Sequence, residues 1–169
     1  MPVPSVLFVG HGADRTGPPV LLANFQRWLA AHTTLDIATV LTRGGPLMDD
    51  YRRCGLVRVL DPRWTGPRIA QQGLARAGRP GAARRLRDAR DRRHLAGWER
   101  AGLVYVNTAS PATLRTLALV PPAVPVLLHV HELEVALRYQ LDDAERALVR
   151  DRPTRWLAAS QAVADNLTA

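Results

Sequence analysis

Val6-Leu7-Phe8-Val9-Gly10-His11-Gly12-Ala13-Asp14-Arg15-Thr16-Gly17-Pro18-Pro19 is an apolar run that passes straight into a glycine-rich turn. Residues 5 to 9 have the pattern of a central parallel strand covered on both faces. From Val20 to Ala31, the apolar residues Val20, Leu21, Leu22, Phe25, Trp28 and Leu29 recur at helical spacing, so a helix follows. In an open α/β sheet, ligands sit outside the carboxyl ends of the strands. A following helix presents free backbone N–H groups and partial positive charge to an anion. The turn therefore reads as an anion-binding entrance.

The same alternation continues along the chain. Leu35 to Leu41 is a second strand, broken by Arg43-Gly44-Gly45-Pro46 before a short helix, Leu47 to Cys54, that Gly55 caps. Val57 to Leu60 is a third strand, closed by Asp61-Pro62. Two helices, roughly 68 to 77 and 81 to 99, follow in a stretch punctuated by Gly66, Pro67, Gly73, Gly78, Pro80 and Gly81. Leu103 to Val106 is a fourth strand, with a helix from about Pro111 to Leu119. Pro125 to Val130 is a fifth, with a helix over about 142 to 150. Arg155 to Ala159 is a sixth, after which Ser160 caps a last helix, Gln161 to Leu167. Strands alternating with helices predict an α/β fold with a doubly wound, mostly parallel, Rossmann-like sheet. The last helix has barely two turns, so the ending reads as a cut.

With 169 residues, 47% of them hydrophobic, the chain has the size of one domain. No run reaches the roughly 18 apolar residues of a membrane span, and no basic region precedes a cleavable apolar segment, which predicts a cytoplasmic protein. Cys54 is the only cysteine, leaving no internal disulfide or cysteine-cluster metal site. Every basic side chain other than histidine is arginine, and the net charge of +8 is local. Residues 63 to 100 hold eleven arginines against Asp88, Asp91 and Glu99, while the remainder is balanced. A neutral body with one basic stretch predicts a local contact with phosphate-bearing material or anionic lipid, not general nucleic-acid affinity. Arg84, Arg85, Arg92 and Arg93 are the candidates for that surface. Arg84 and Asp88 have the spacing of a helical ion pair, and Leu86, Leu95 and Trp98 are placed to form the helix's apolar face.

A dinucleotide fingerprint needs three glycines and an acidic residue about 20 residues further on. Gly10 and Gly12 fill the first two positions, but Arg15 occupies the third and the second strand ends in Thr42-Arg43 without a carboxylate. NAD is disfavoured, and Arg43 keeps an NADP-like reading open. His129 and His131, two apart on a strand, share a face. No third ligand has recognisable spacing, so no metal site is expected. His129 reads as a satisfied core residue. His131 and Glu132 fall on the ligand-binding rim, where the imidazole can orient a hydroxyl or contact a phosphate and Glu132 can fix its tautomer. Asn107, Thr108 and Ser110 end the fourth strand on the same rim and suit hydroxyl binding. Ser110 before Pro111 equally suits a helix N-cap.

Taken in order, these loops resemble the N-terminal domain of GT-B-fold glycosyltransferases of family 4, which are retaining and use nucleotide sugars. The matching blocks are the first strand with Gly17-Pro18-Pro19-Val20-Leu21-Leu22, then Arg43-Gly44-Gly45-Pro46-Leu47 and Val104-Tyr105-Val106-Asn107-Thr108. They continue with Val126-Leu127-Leu128-His129-Val130-His131-Glu132-Leu133 and Ala159-Ser160-Gln161-Ala162-Val163-Ala164-Asp165-Asn166-Leu167. The resemblance implies an acceptor-side domain spanning residues 1 to 169, with a basic helical insertion at about 63 to 100. The nucleotide-sugar donor, a substrate and not a cofactor, is held by a C-terminal domain absent from this chain. It further implies that Gly12 and Gly17 lie by the donor phosphates, that His131 faces the sugar and acceptor with Glu132 in support, and that His11, Asn107, Thr108 and Ser110 receive the acceptor. Pro18 stands where the family often has a small residue and removes one N–H donor. The acceptor is small or lipid-linked, contact with anionic membrane places the protein at its inner face, and the chain alone is expected to be inactive. The alternatives are a non-catalytic Rossmann-like module binding a phosphorylated small molecule or anionic partner, and an NADP-dependent reductase.

Overall fold

The opening apolar run forms β1 (Val6–Gly10), buried along its whole length, in the computed structural model of the chain, which describes residues 3–60 and 66–168. Five further strands join it: β2 (Ile37–Leu41), β3 (Leu56–Val59), β4 (Leu103–Asn107), β5 (Val126–Val130) and β6 (Arg155–Ala158). Their order is β3-β2-β1-β4-β5-β6, and every neighbouring pair is parallel. The fold is the expected Rossmann-like α/β arrangement, parallel throughout. The order reverses between β1 and β4, the switch point where open sheets bind ligands. Register levels the carboxyl ends there, with Gly10 opposite both Leu41 and Asn107, and Asn107 opposite His129.

Among the described residues, seven helices lie between the strands and one follows the last: α1 (Gly17–His32), α2 (Met48–Cys54), α3 (Gly66–Arg76), α4 (Pro80–Leu95), α5 (Pro111–Leu117), α6 (Glu134–Gln140), α7 (Asp143–Asp151) and, after β6, α8 (Gln161–Thr168). Strand alternation divides the core in two. Leu7, Val9, Val104 and Leu128 pack with Leu95, Trp98, Leu114 and Leu117 on one face. Val6, Phe8, Leu41 and Tyr105 pack with Leu22, Ala23 and Tyr51 on the other. Each fully buried Leu or Phe contributes roughly 1.5–3 kcal/mol of transfer free energy.

Several expected details differ. α1 buries Pro19, Leu22, Ala23 and Gln26, whereas Val20, Leu21 and Trp28 lie outward. Its apolar residues fill two adjacent stripes, so spacing alone does not fix the rotation. Side chains fix it instead: Thr39 donates to Gln26 inside the core, Asn107 holds the Pro18 carbonyl and Tyr51 the Pro19 carbonyl. The second basic helix stops at Leu95, short of residue 99, because Gly97 takes a left-handed φ of 86° and Arg58 reaches over the Trp98 ring to bond the carbonyls of His94 and Ala96. α6 was not anticipated, since none of its residues is buried. The expected turn at Asp61-Pro62 and the start of the basic segment at 63 to 65 lie outside the described residues.

Among the described residues, β6 pairs only with β5 and forms one edge of the sheet, with Trp156 and Leu157 each 44% exposed. Among the described residues, no helix is long and apolar enough to cross a membrane.

Candidate active site at the carboxyl ends of the sheet

The loops leaving β1, β2, β4 and β5 enclose an open cleft of about 540 Å³ at the switch point. His11, Thr42, Thr108 and Glu132 line it, one from each strand end, together with Arg43 and Arg115. Three of these carry buried polar atoms with no hydrogen-bond partner: Nδ1 of His11, Oγ1 of Thr42 and Oγ1 of Thr108. Buried polar groups in native proteins are nearly always paired, and each orphan costs about 1–3 kcal/mol. Three such atoms among the described residues converge on one cleft, where polar groups of a ligand or of solvent can pair them. A larger groove of about 670 Å³, between α6, α7, β6 and α8, is predominantly apolar, lined by Leu137, Leu141, Val149 and Leu167, and has no such convergence.

Thr108 adds strain. Its φ of 85° lies in the left-handed region, where a β-branched residue is an outlier costing on the order of 1–3 kcal/mol. The surrounding bonds impose it: the Thr108 N–H donates to the His129 carbonyl at 2.9 Å, its carbonyl accepts from the Thr113 hydroxyl at 2.6 Å, and the next N–H, of Ala109, donates to Glu132 Oε2 at 3.1 Å. The same Glu132 oxygen accepts the His131 N–H at 3.1 Å. Glu132 was expected to bear on the His131 imidazole. Instead its carboxylate clamps the backbone of two loops.

The imidazole is oriented by Asn107. Asn107 Nδ2 donates to the Pro18 carbonyl at 3.1 Å, and because a carbonyl only accepts, Oδ1 is the atom facing His131. His131 Nε2, 3.1 Å from Oδ1, therefore carries the proton, and in the neutral ring Nδ1 keeps a lone pair. Burial holds the His131 pKa below its ordinary value; the Glu132 charge opposes this and His11 reinforces it. The neutral form thus prevails at pH 7. Such a ring accepts a proton or a hydroxyl hydrogen bond.

His129 behaves as the core residue expected. Its Nδ1 lies 2.6 Å from the Tyr105 hydroxyl, its ring is 4.0 Å from that of His131, and burial followed by the His131 charge lowers its pKa to about 4. The unfolded chain, with histidine near 6.5, then binds more protons than the native state between these values. His129 stabilises the fold above pH 6.5, and this contribution disappears as pH falls toward 4. In thermal melts across that range, His129→Gln should show a smaller acid-induced fall in Tm than the parent; an identical pH profile would contradict the assignment.

The anion-binding turn is less generous than its sequence suggests. Pro18 and Pro19 have no N–H and the Val20 N–H donates to the Thr16 carbonyl, leaving Gly17 with the one N–H among the first three residues of α1. Gly17 is exposed and a Cβ there would meet nothing, while Gly12 is buried against Asp14. Arg43 pairs with Asp14 at 3.6 Å. Ser110 is the N-cap of α5 in a reciprocal capping box with Thr113, while still lining the cleft.

Arg84, Arg85, Arg92 and Arg93 are all exposed on α4. Leu95 and Trp98 are buried in the core, so this helix has no apolar face left for lipid, and Leu86 is only half-buried. Asp88 pairs with Arg87, its immediate neighbour, at 3.5 Å, in place of the expected Arg84. Among the described residues, no group of three or more His, Cys, Asp or Glu side chains could hold a metal ion. Sequence reasoning missed Arg115 and the unpaired state of Thr42, whose positions depend on how α5 docks over the β2 end.

No protein-family model matches the chain, and no curated protein matches it in sequence.

Proposed function

We propose that this chain is the acceptor-side domain of a retaining glycosyltransferase, which moves a sugar from a nucleoside-diphosphate donor to an acceptor hydroxyl. The carrying observation is the strand-end rim, where one cleft gathers three unpaired polar atoms from the residues just after β1, β2 and β4, and where Asn107 holds the imidazole of His131, close enough to His11 to feel its charge, in the Nε2–H form. An acceptor polyol would satisfy His11, Thr42 and Thr108 through its hydroxyls, since hydroxyls both donate and accept. His131 Nδ1 would receive the hydrogen bond of the attacking hydroxyl and orient it toward the anomeric carbon. The C–O bond to the diphosphate breaks, the new glycosidic bond forms on the same face, and the hydroxyl proton leaves with the departing phosphate.

Two prolines in the first turn of α1 disfavour a pyrophosphate cradle within this domain, and with it the NADP-dependent reductase. They fit a donor held mainly by a second domain, with only Gly17 reaching its phosphates. The exposed arginines of α4 would supply contact with an anionic surface through charge alone. The non-catalytic alternative, a module for phosphorylated small molecules, uses the same cleft.

The test is to express the chain with its downstream reading frame and assay nucleoside-diphosphate release from UDP-, GDP- and ADP-sugars with polyol acceptors. Expected are transfer with retained anomeric configuration and, downstream, about 180–200 residues forming a second doubly wound domain. Micromolar NADP binding without nucleotide-sugar turnover would instead select the reductase.

A further inference from the structure

The two strand ends that flank the cleft stay joined past the point where the sheet stops. β4 ends at Asn107 and β5 at Val130, with Asn107 opposite His129 in the register. Three bonds then hold the two exits together. The Thr108 N–H donates to the His129 carbonyl at 2.9 Å, Asn107 Oδ1 lies 3.1 Å from His131 Nε2, and the Ala109 N–H donates to Glu132 Oε2 at 3.1 Å. The last acceptor is a side chain in place of a strand carbonyl, and the same oxygen takes the His131 N–H. We propose that Glu132 is a positioning residue: its carboxylate locks the β4 exit in a strained form and so fixes the cleft wall at Thr108 relative to the His131 imidazole.

The strain at Thr108 shows what the carboxylate holds. A φ of 85° is one that glycine adopts freely and a β-branched residue resists, and such strain persists only where neighbours over-determine the backbone. The peptide between Thr108 and Ala109 is gripped at both ends: its carbonyl accepts from the Thr113 hydroxyl and its N–H donates to Glu132. Without Glu132, the N–H of the fully buried Ala109 loses its acceptor and the peptide is free to turn back toward an ordinary φ. That rotation displaces the stretch from Thr108 to Ser110, two residues that line the cleft together with Glu132. A carboxylate suits the task, because a hydrogen bond from a backbone N–H to an ionised acceptor is roughly twice as strong as a neutral one.

Both backbone bonds fall on one oxygen, Oε2, which separates a clamp from a group acting through its charge. Glutamine keeps such an oxygen and loses the charge, whereas aspartate keeps the charge and draws the oxygen back by one methylene. The clamp stands on these bonds; its bearing on sugar transfer rests on the proposed reaction.

Amide hydrogen exchange in the 169-residue chain reads the clamp without any substrate. Glu132→Ala should speed exchange at Ala109 and His131 about tenfold or more, Glu132→Asp should follow it, and Glu132→Gln should keep both amides slow. In the transfer assay with the downstream domain present, Glu132→Ala should lower turnover about 10²-fold, the order that misplacement at a site costs, and Glu132→Gln no more than about threefold. The loss caused by Glu132→Ala should shrink several-fold in a Thr108→Gly background, where the left-handed form is unstrained, whatever Thr108→Gly costs by itself. Unchanged Ala109 exchange in Glu132→Ala, or exchange faster in Glu132→Gln than in Glu132→Asp, overturns the clamp, and the second comparison decides if Glu132→Ala does not fold. Turnover lost equally in Glu132→Gln and Glu132→Ala, with the amides of Glu132→Gln still slow, overturns the positioning role and assigns the carboxylate to the chemistry. An equal loss in both backgrounds overturns the storage of strain at Thr108. Slow amides in Glu132→Gln and fast ones in Glu132→Ala, in a polypeptide that transfers no sugar, uphold the clamp and overturn the transferase reading alone.

Discussion

Gly45→Ala is expected to lower the melting temperature by about 6–12 °C. A Cβ at this position would lie 2.5 Å from the Ala13 carbonyl oxygen, 2.7 Å from its carbon and 3.1 Å from the Asp14 nitrogen, all of them backbone atoms. No side chain can rotate away, and Ala13 is itself fully buried with its carbonyl engaged by the Leu47 N–H at 2.9 Å. Relief therefore requires moving the loop that carries His11 and Gly12 against the β2 exit. Overpacking of this kind costs about 3 kcal/mol, and in a chain of this size each kcal/mol shifts Tm by roughly 2–4 °C. Gly17→Ala is the control, because its Cβ meets nothing within 4 Å. Differential scanning calorimetry of the two variants tests the contrast. If Gly45→Ala melts within a degree of Gly17→Ala, the tight approach of these loops is wrong.

His131→Ala, in the transfer assay with the downstream domain present, should reduce turnover about 10²-fold, the order that loss of a contact orienting the attacking hydroxyl costs. Stability should change little, because the half-exposed ring makes its principal hydrogen bond to Asn107 alone. A variant that keeps full turnover removes His131 from the reaction. Asn107→Asp provides a readout that packing damage would not give. A carboxylate facing Nε2–H favours the imidazolium, raises the His131 pKa and should move the acid limb of the pH–rate profile to higher pH. An unmoved limb would show that Asn107 does not set the protonation of the ring.

The strands were legible because each is a short apolar run bounded by glycine, proline or polar residues, and burial on both faces leaves little else for such runs to do. α1 was legible as a helix but not in its rotation, which depends on Asn107, Tyr51 and Thr39, residues contributed by other elements. His131, Glu132, Asn107 and Thr108 could be found by counting to the ends of strands. The division of labour among them could not, because Glu132 bonds backbone N–H groups that carry no trace in residue identity. The polar cavity lined by α4 and α5 was legible only as composition. Arg87 and Asp91 share its lining with Arg115 and Thr42, far off in sequence, once the α3–α4 hairpin closes over α5.

The outer flank of β6 has a consequence for how this polypeptide meets others. A terminal strand with one side of its backbone unbonded is a template for β-augmentation, and the half-exposed Trp156 and Leu157 add apolar area to that template. Any extended segment laid beside it would continue the sheet to a seventh strand. Arg155, exposed at the start of the strand, places a positive charge at one end of that edge, and edge charges oppose unspecific strand pairing. The sheet thus ends in an edge whose backbone polar groups and apolar side chains both face outward, with one positive charge at its first residue.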